Sequence, residues 1–246
     1  MFTYQIIIEY DGTNFVGWQK QKNGLSIQQS VEKILNKILK EKIILYGSGR
    51  TDAGVHAMGQ SAHFISKTKI NNKFLFLNSI NFFLHKKRIS ILKINKKKMN
   101  FHARFSAKKR EYKYIIVNRN APLSLEFNKA WHIKSILNLD LMKKAAKLLE
   151  GNKDFSTFRS SSCNAKSPIK TLKKATVKKL GNKIIITFKS QSFLQQQVRS
   201  MVGCIKFVGE NKWNLKKFEY IIKSKTRANC APPAPAHGLY LSRVYY

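Results

Sequence analysis

The apolar positions of the chain divide into short strand-like runs and longer stretches at helical spacing. Phe2 to Tyr10 reads as a strand, ended by the turn Asp11-Gly12-Thr13-Asn14. Ser26-Ile27-Gln28-Gln29 has the form of a capping box, with Ser26 as N-cap and Gln29 three positions on. The helix it opens runs to about Lys40, with Ile27, Val31, Ile34, Leu35, Ile38 and Leu39 on one face. Strands are predicted over Ile43–Gly47 and Gln60–Ile65, a helix over Asn72–Leu84 and a strand over Ile89–Ile94. The order is β-α-β-β-α-β.

The second half repeats that order. A strand is predicted over Glu111–Asn118 and a helix over Leu139–Glu150, stopped by Gly151 at its C′ position. Ala175–Leu180 and Ile184–Phe188 form a hairpin around Gly181-Asn182. Helices follow over Gln195–Val208 and Leu215–Lys223, then a last strand over Leu239–Tyr245. The expected fold class is α+β. Two ferredoxin-like subdomains, residues 1–105 and 106–246, would form a mainly antiparallel central sheet with helices on one side. An active-site cleft would lie between the halves. No sequence repeat accompanies the repeated element order.

Composition narrows the function. The 246 residues are 43% apolar, a globular share that argues against wholesale disorder. No stretch approaches the ~18 apolar residues of a membrane span. Met1 to Gln5 lacks the basic start of a signal peptide. Cys163, Cys204 and Cys230 are odd in number and widely spaced, which argues against a disulfide framework or a cysteine-held zinc. Free thiols fit a reducing cytosol, so a cytoplasmic protein is expected. Charge changes the picture most: 47 Lys+Arg stand against 12 Asp+Glu, a formal +35. A chain this basic repels itself unless a polyanion relieves it, and nucleic acid is the obvious one. The alternative is a solvated lysine surface in a chain from an AT-rich genome, which abundant Lys, Ile and Asn would also produce.

With acidic residues so scarce, the four aspartates can be weighed singly. Asp11 suits an Asx turn, Asp140 the first turn of a helix, and Asp154 a structural place after a helix end. Asp52 lies between two strands in Gly47-Ser48-Gly49-Arg50-Thr51-Asp52-Ala53-Gly54. It reads either as a tight-turn residue or as a carboxylate that glycines bring close to a ligand and Arg50 keeps ionised. Other chemistries lack their residues: no Walker-type loop, no Cys/His cluster for a deaminase zinc, no carboxylate group for paired magnesium. For His63 a strand-packing role is the better reading. Tyr112 and Tyr114 share one strand face amid basic residues, fit for stacking on a base or for burial in a core. Arg199, on an otherwise apolar helix, either meets a carboxylate or snorkels to the surface.

Gly49-Arg50-Thr51-Asp52-Ala53-Gly54-Val55-His56 resembles the signature of the TruA-type tRNA pseudouridine synthases. Further matches follow in order along nearly the whole chain. They are Glu9-Tyr10-Asp11-Gly12 with Gly17-Trp18-Gln19, Phe101 to Ala107, Tyr112 to Ile116, Asp154 to Arg159, Val198 to Gly203 and Gly238 to Leu241. The resemblance implies isomerisation of uridine to pseudouridine at positions 38, 39 and 40 of the tRNA anticodon stem-loop. It implies a homodimer acting on tRNA without cofactor or metal, since the product is an isomer of the substrate. It gives Asp52 the role of nucleophile or base at the sugar, Tyr112 that of stacking on the base and helping remove the C5 proton, and Arg199 that of ion-pair partner to Asp52. Arg50 and His56 become substrate-binding residues. Departures from the family pattern are Gln195-Gln196-Gln197, where many members carry His-His, and a C-terminus at Tyr246 without the tail of some relatives. The alternatives are a catalytically silent tRNA-binding chaperone, or a pseudouridine synthase with another RNA target.

Overall fold

The computed structural model describes residues Met1–Tyr246 and is mixed α+β with mostly antiparallel strand pairing. It forms two compact units: Met1–Lys108 together with Tyr240–Tyr246, and Lys109–Leu239. No helix is long and apolar enough to cross a membrane.

In the first unit, β1 (Phe2–Tyr10) lies between β3 (His56–Ser66) and β4 (Ile89–Lys97), antiparallel to both. The two-residue β2 (Tyr46–Gly47) flanks β3. The order β4-β1-β3-β2 is what a single β-α-β-β-α-β run gives when its first and third strands take the centre. Period two sets the faces. Tyr4, Ile6 and Ile8 are buried opposite Phe64, Ala62 and Gln60 and beside Ile94 and Ile91. The alternate positions Gln5, Ser61 and His63 are buried too, so that face is a polar interior, and Gln5 Nε2 donates to Ser61 Oγ at 2.9 Å. Helix α1 (Ile27–Leu39) buries Ile27, Val31, Ile34, Leu35 and Leu39, and Ser26 Oγ caps it by accepting from the Gln29 amide. Helix α2 (Lys73–Leu84) packs on β4 through Phe76, Ile80 and Leu84, with Asn72 as its cap.

The first unit departs from the predicted elements at two places. Ile43–Gly47 is a strand only at Tyr46–Gly47. The amides of Ile43 and Leu45 donate instead to Asn36 Oδ1 and Glu32 Oε1, at 2.7 and 2.9 Å, so α1 takes the groups a ladder would use. β3 starts at His56 rather than Gln60. Its small residues suit the close approach of the C-terminal strand β10 (Leu239–Tyr245), which pairs in parallel with β3 at Tyr240↔His56 and Leu241↔Ala57. A Cβ on Gly59 would lie 2.9 Å from the Ser242 carbonyl oxygen.

The second unit's sheet runs β5 (Lys109–Asn118), β9 (Lys183–Ser190), β8 (Ile169–Leu180), β7 (Gly151–Asp154), all antiparallel. The Gly181-Asn182 hairpin forms as expected, with Leu180 paired to Lys183 and Gly181 at φ +56°. Helix α3 (Leu139–Leu148) packs on β8 and on α4 (Gln197–Gly209), with α5 (Leu215–Ser224) beside them. Two short strands escaped prediction. β6 (Trp131–Ile133) is too short to show a period, and β7 begins at Gly151. Gly151 therefore uses its φ of +104° to start a strand rather than to stop α3 at the C′ position. β8 starts at Ile169, earlier than predicted, because its lysines hide the alternation.

Candidate active site

Asp52 sits in the loop between β2 and β3, half-buried, and almost every neighbour in the loop is fixed. Ser48 donates its amide to the Ser61 carbonyl at 2.8 Å and its hydroxyl to Gln60 Oε1 at 2.7 Å. Gln60 Nε2 donates back to the Gly49 carbonyl at 2.8 Å. The hydroxyls of Thr51 and Tyr10 are 2.8 Å apart. The Trp18 amide donates to the Thr51 carbonyl at 3.0 Å, and the Val55 amide to the Asp52 carbonyl at 3.2 Å.

Two glycines form the floor of this loop. A Cβ on Gly17, whose φ is +110°, would lie 2.5 Å from the Thr51 carbonyl oxygen and 3.1 Å from the Asp52 carbonyl carbon. A Cβ on Gly12 would lie 2.1 Å from the Val55 carbonyl oxygen. Any side chain at either place would displace the loop. The Trp18 indole packs on Gly47, where a Cβ would come within 2.5 Å of the ring. The segment Asp11–Trp18 is thus the bed on which the Asp52 loop lies. Read along the chain, Gly12, Gly17, Trp18 and Gln60 had no role of their own; for the first three the signal available was their place in Glu9-Tyr10-Asp11-Gly12 and Gly17-Trp18-Gln19.

Arg50 is exposed in this loop, while His56 is 2% exposed at the start of β3. The expectation that His56 binds substrate directly meets an enclosed ring. His56 Nδ1 accepts the Gly12 amide at 3.0 Å, and the ring stacks on Tyr240 with centroids 4.7 Å apart. Asp11 Oδ1 lies 3.2 Å from the same nitrogen. One nitrogen cannot accept and donate at once, and the amide, which can only donate, makes it the acceptor. Burial works against ionised Asp11, but the Thr13 hydroxyl and amide and Arg88 outweigh it and hold the carboxyl below its usual range. Burial and the Asp11 charge push the Tyr240 hydroxyl up to about 12.

His63 packs as expected inside the strand. It accepts the Ala103 amide at 3.1 Å, stacks on Tyr46 and lies 4.6 Å from His102, centroid to centroid. Burial, then repulsion from His102, push its imidazole down to about 4.

Tyr112 and Arg199 belong to the second unit. On β5, Tyr112 is 8% exposed and meets Phe193 edge-on at 5.2 Å. Tyr114, two residues on, is a core residue: its hydroxyl donates to the Pro235 carbonyl at 2.8 Å and its ring lies on Gly238. Arg199 is half-buried on α4, and its Nε donates to the Ala234 carbonyl at 2.7 Å. The Ala234 amide returns a bond to the Arg199 carbonyl at 3.0 Å. A Cβ on the next-turn Gly203 would lie 2.2 Å from the Pro232 carbonyl oxygen, so the segment before β10 runs along α4 at backbone distance. In the departing Gln195-Gln196-Gln197 run, Gln197 is buried and its Oε1 accepts the Leu194 amide at 2.8 Å, while Gln196 takes φ +59° just before the helix.

A family profile described as tRNA pseudouridine synthase matches residues 6–106 and 145–246. The chain belongs to that family. It is similar along its whole length to the tRNA pseudouridine synthase A of Pelagibacter ubique (strain HTCC1062), 61% identical over 246 residues and covering 100% of each chain. It is 44% identical to that of Parvibaculum lavamentivorans over 243 residues, covering 99% of this chain and 98% of the relative. It is 42% identical to that of Sinorhizobium medicae over 245 residues, 99% of each. The family's enzymes are isomerases, and the expected family, α+β fold class and reaction type agree with these matches.

Proposed function

We propose that this protein isomerises uridine to pseudouridine at positions 38, 39 and 40 of the tRNA anticodon stem-loop. The observation that carries the reading is the Asp52 loop, clamped by Gln60, Thr51 and the Trp18 amide over Gly12 and Gly17. Such rigidity is wasted on an ordinary turn and is what a reacting carboxylate needs, since small misplacements cost large factors in rate.

In the reaction the N1–C1′ bond breaks, the uracil turns over and C5 bonds to C1′. The base must first leave its stack, at a cost of a few kcal/mol. Asp52 acts at the sugar, either attacking C1′ or removing the 2′ proton. Tyr112 stacks on the base and helps take the C5 proton. Arg199 is the ion-pair partner of Asp52. Arg50, exposed in the loop, helps hold the flipped nucleotide. His56 acts from behind, holding the Asp11-Gly12 turn through the Gly12 amide. No step calls for a cofactor. The +35 charge supplies most of the tRNA affinity.

The protein acts in the cytoplasm as a homodimer. Phe74, Leu75 and Phe82 support the dimer: they are 59–70% exposed on the face of α2 opposite its buried stripe. Light scattering should give about twice the 28.4 kDa chain mass, and a monomer at working concentration would remove the dimer. Tritium release from tRNA labelled at uridine C5 tests the activity. No release by the intact protein would leave the tRNA-binding chaperone. Pseudouridine mapped outside the anticodon stem-loop would overturn the target.

A further inference from the structure

Two of the three cysteines meet in the second unit. Cys204 Sγ, fully buried on α4, lies 3.5 Å from Cys230 Sγ. Cys230 follows the short 3-10 turn Arg227–Asn229 and is partly exposed, so a small oxidant can reach it. A disulfide needs its sulfurs at about 2.05 Å, which asks for roughly 1.5 Å of closure. Arg227 stands beside the pair, anchored by its Nη1 to Ser200 Oγ at 2.8 Å.

The two thiols are unequal. The hydrogen bond between the two sulfurs, helped by the Arg227 charge, holds the Cys230 thiol below its ordinary range despite burial. The same hydrogen bond and deeper burial push Cys204 up. Cys230, the more exposed and the more acidic of the two, is therefore the thiol that meets the oxidant, and buried Cys204 the thiol in reserve, the usual division between an attacked and a resolving cysteine. Wide spacing in the sequence concealed the pair, because α4 and the segment after α5 come together only in the fold.

We propose that Cys204 and Cys230 are a redox site that closes to a reversible disulfide when the protein meets a peroxide. The Cys230 sulfur attacks one peroxide oxygen, the O–O bond breaks, and the departing hydroxide takes up the proton that the Cys230 thiol gives up and leaves as water, giving a sulfenic acid. The Cys204 sulfur then bonds to Cys230 sulfur, expelling the sulfenic oxygen and the Cys204 proton together as water. Two thiols are oxidised and one hydrogen peroxide is reduced to two waters.

The disulfide bears on the reaction through its neighbours, a consequence that rests on the role proposed for Arg199. Cys230 lies four residues before Ala234, whose carbonyl holds Arg199 Nε at 2.7 Å. Drawing Cys230 toward α4 shifts that acceptor and the Pro235 carbonyl that holds Tyr114.

The test is limited hydrogen peroxide on the reduced full-length protein, then alkylation and peptide mass analysis without reduction. The expected product is a Cys204–Cys230 cross-linked peptide, lighter than the dithiol by two hydrogens and opened by dithiothreitol. Tritium release by the oxidised protein should fall about tenfold or more, recover with dithiothreitol, and stay unaffected by peroxide in Cys230→Ser. In Cys204→Ala, peroxide should carry Cys230 on to sulfinic acid. A cross-link through Cys163, or Cys230 oxidised in the wild type with Cys204 still open to alkylation once unfolded, would overturn the site. So would an unreacted Cys230 in Cys204→Ala. Full turnover in cross-linked protein would overturn the coupling to Arg199. Absence of tritium release before any oxidation would count against the proposed function instead, since the mass readout does not depend on it.

Discussion

The Asp52 loop and the segment from Arg227 to Gly238 are both irregular stretches laid against regular structure, but they are fastened differently. The Asp52 loop is held by its surroundings: Gln60, Tyr10 and the Trp18 amide bind its backbone and its Thr51, over a floor of Gly12 and Gly17. The later segment is held in part by a proposed catalytic side chain, since Arg199 Nε is itself the donor to Ala234. In the first region the fastenings of Thr51 and of the loop backbone come from residues outside the proposed chemistry. In the second one guanidinium does both, and its fork of fixed donors suits it to do so.

That contrast can be broken by substitution. Asp52→Ala should cost at least about a thousandfold in tritium release. It should leave tRNA binding intact and the melting temperature within about 2 °C of wild type. A melting temperature lowered much further would show that the carboxylate fastens the loop after all. Gly17→Ala removes no catalytic side chain, yet it should lower turnover about a hundredfold by lifting the loop that carries Asp52. Turnover close to wild type would mean that the loop tolerates displacement.

Arg199→Lys keeps the charge and loses the Nε donor. It should reduce turnover about tenfold and, by removing one hydrogen bond, lower the melting temperature by roughly 2–4 °C. If turnover fell with no change in melting, Arg199 would have no fastening role.

The smallest effect belongs to the first unit alone. His63 titrates near 6.5 when unfolded and at about 4 when folded. Between those values the unfolded chain binds more protons, so the contribution is complete above pH 6.5 and is lost as pH falls toward 4. Melting temperatures measured from pH 7 to pH 4 should fall through that window, and His63→Phe should flatten the fall. An unchanged slope would mean that His63 is not the group responsible.

Much of the fold is legible in the chain because its signals are local. β1 and β10 have their predicted bounds, and α1, α2, α4 and α5 end within two residues of theirs. Ser26 supplies the cap its motif announces. What was missed depends on partners far along the chain. Ile43–Leu45 has strand-like residues but yields its amides to α1, and β7 has nothing apolar to mark it until β8 lies alongside. Asp52 stood out because its local surroundings offered it less explanation than Asp11, Asp140 or Asp154. The enclosure of His56 was invisible, because it depends on Gly12 and Tyr240, one from each end of the chain.

The sequence by itself determined the family, the order of the longer elements and the carboxylate on which the proposed chemistry turns, because periodicity, caps and ordered motifs are written in consecutive residues. Tertiary structure decided what holds that carboxylate's loop, that β10 pairs with β3, and that Cys204 meets Cys230. Those are meetings of groups tens to hundreds of residues apart. Their spacing is set by packing and hydrogen-bond satisfaction in three dimensions, which no run of neighbours records.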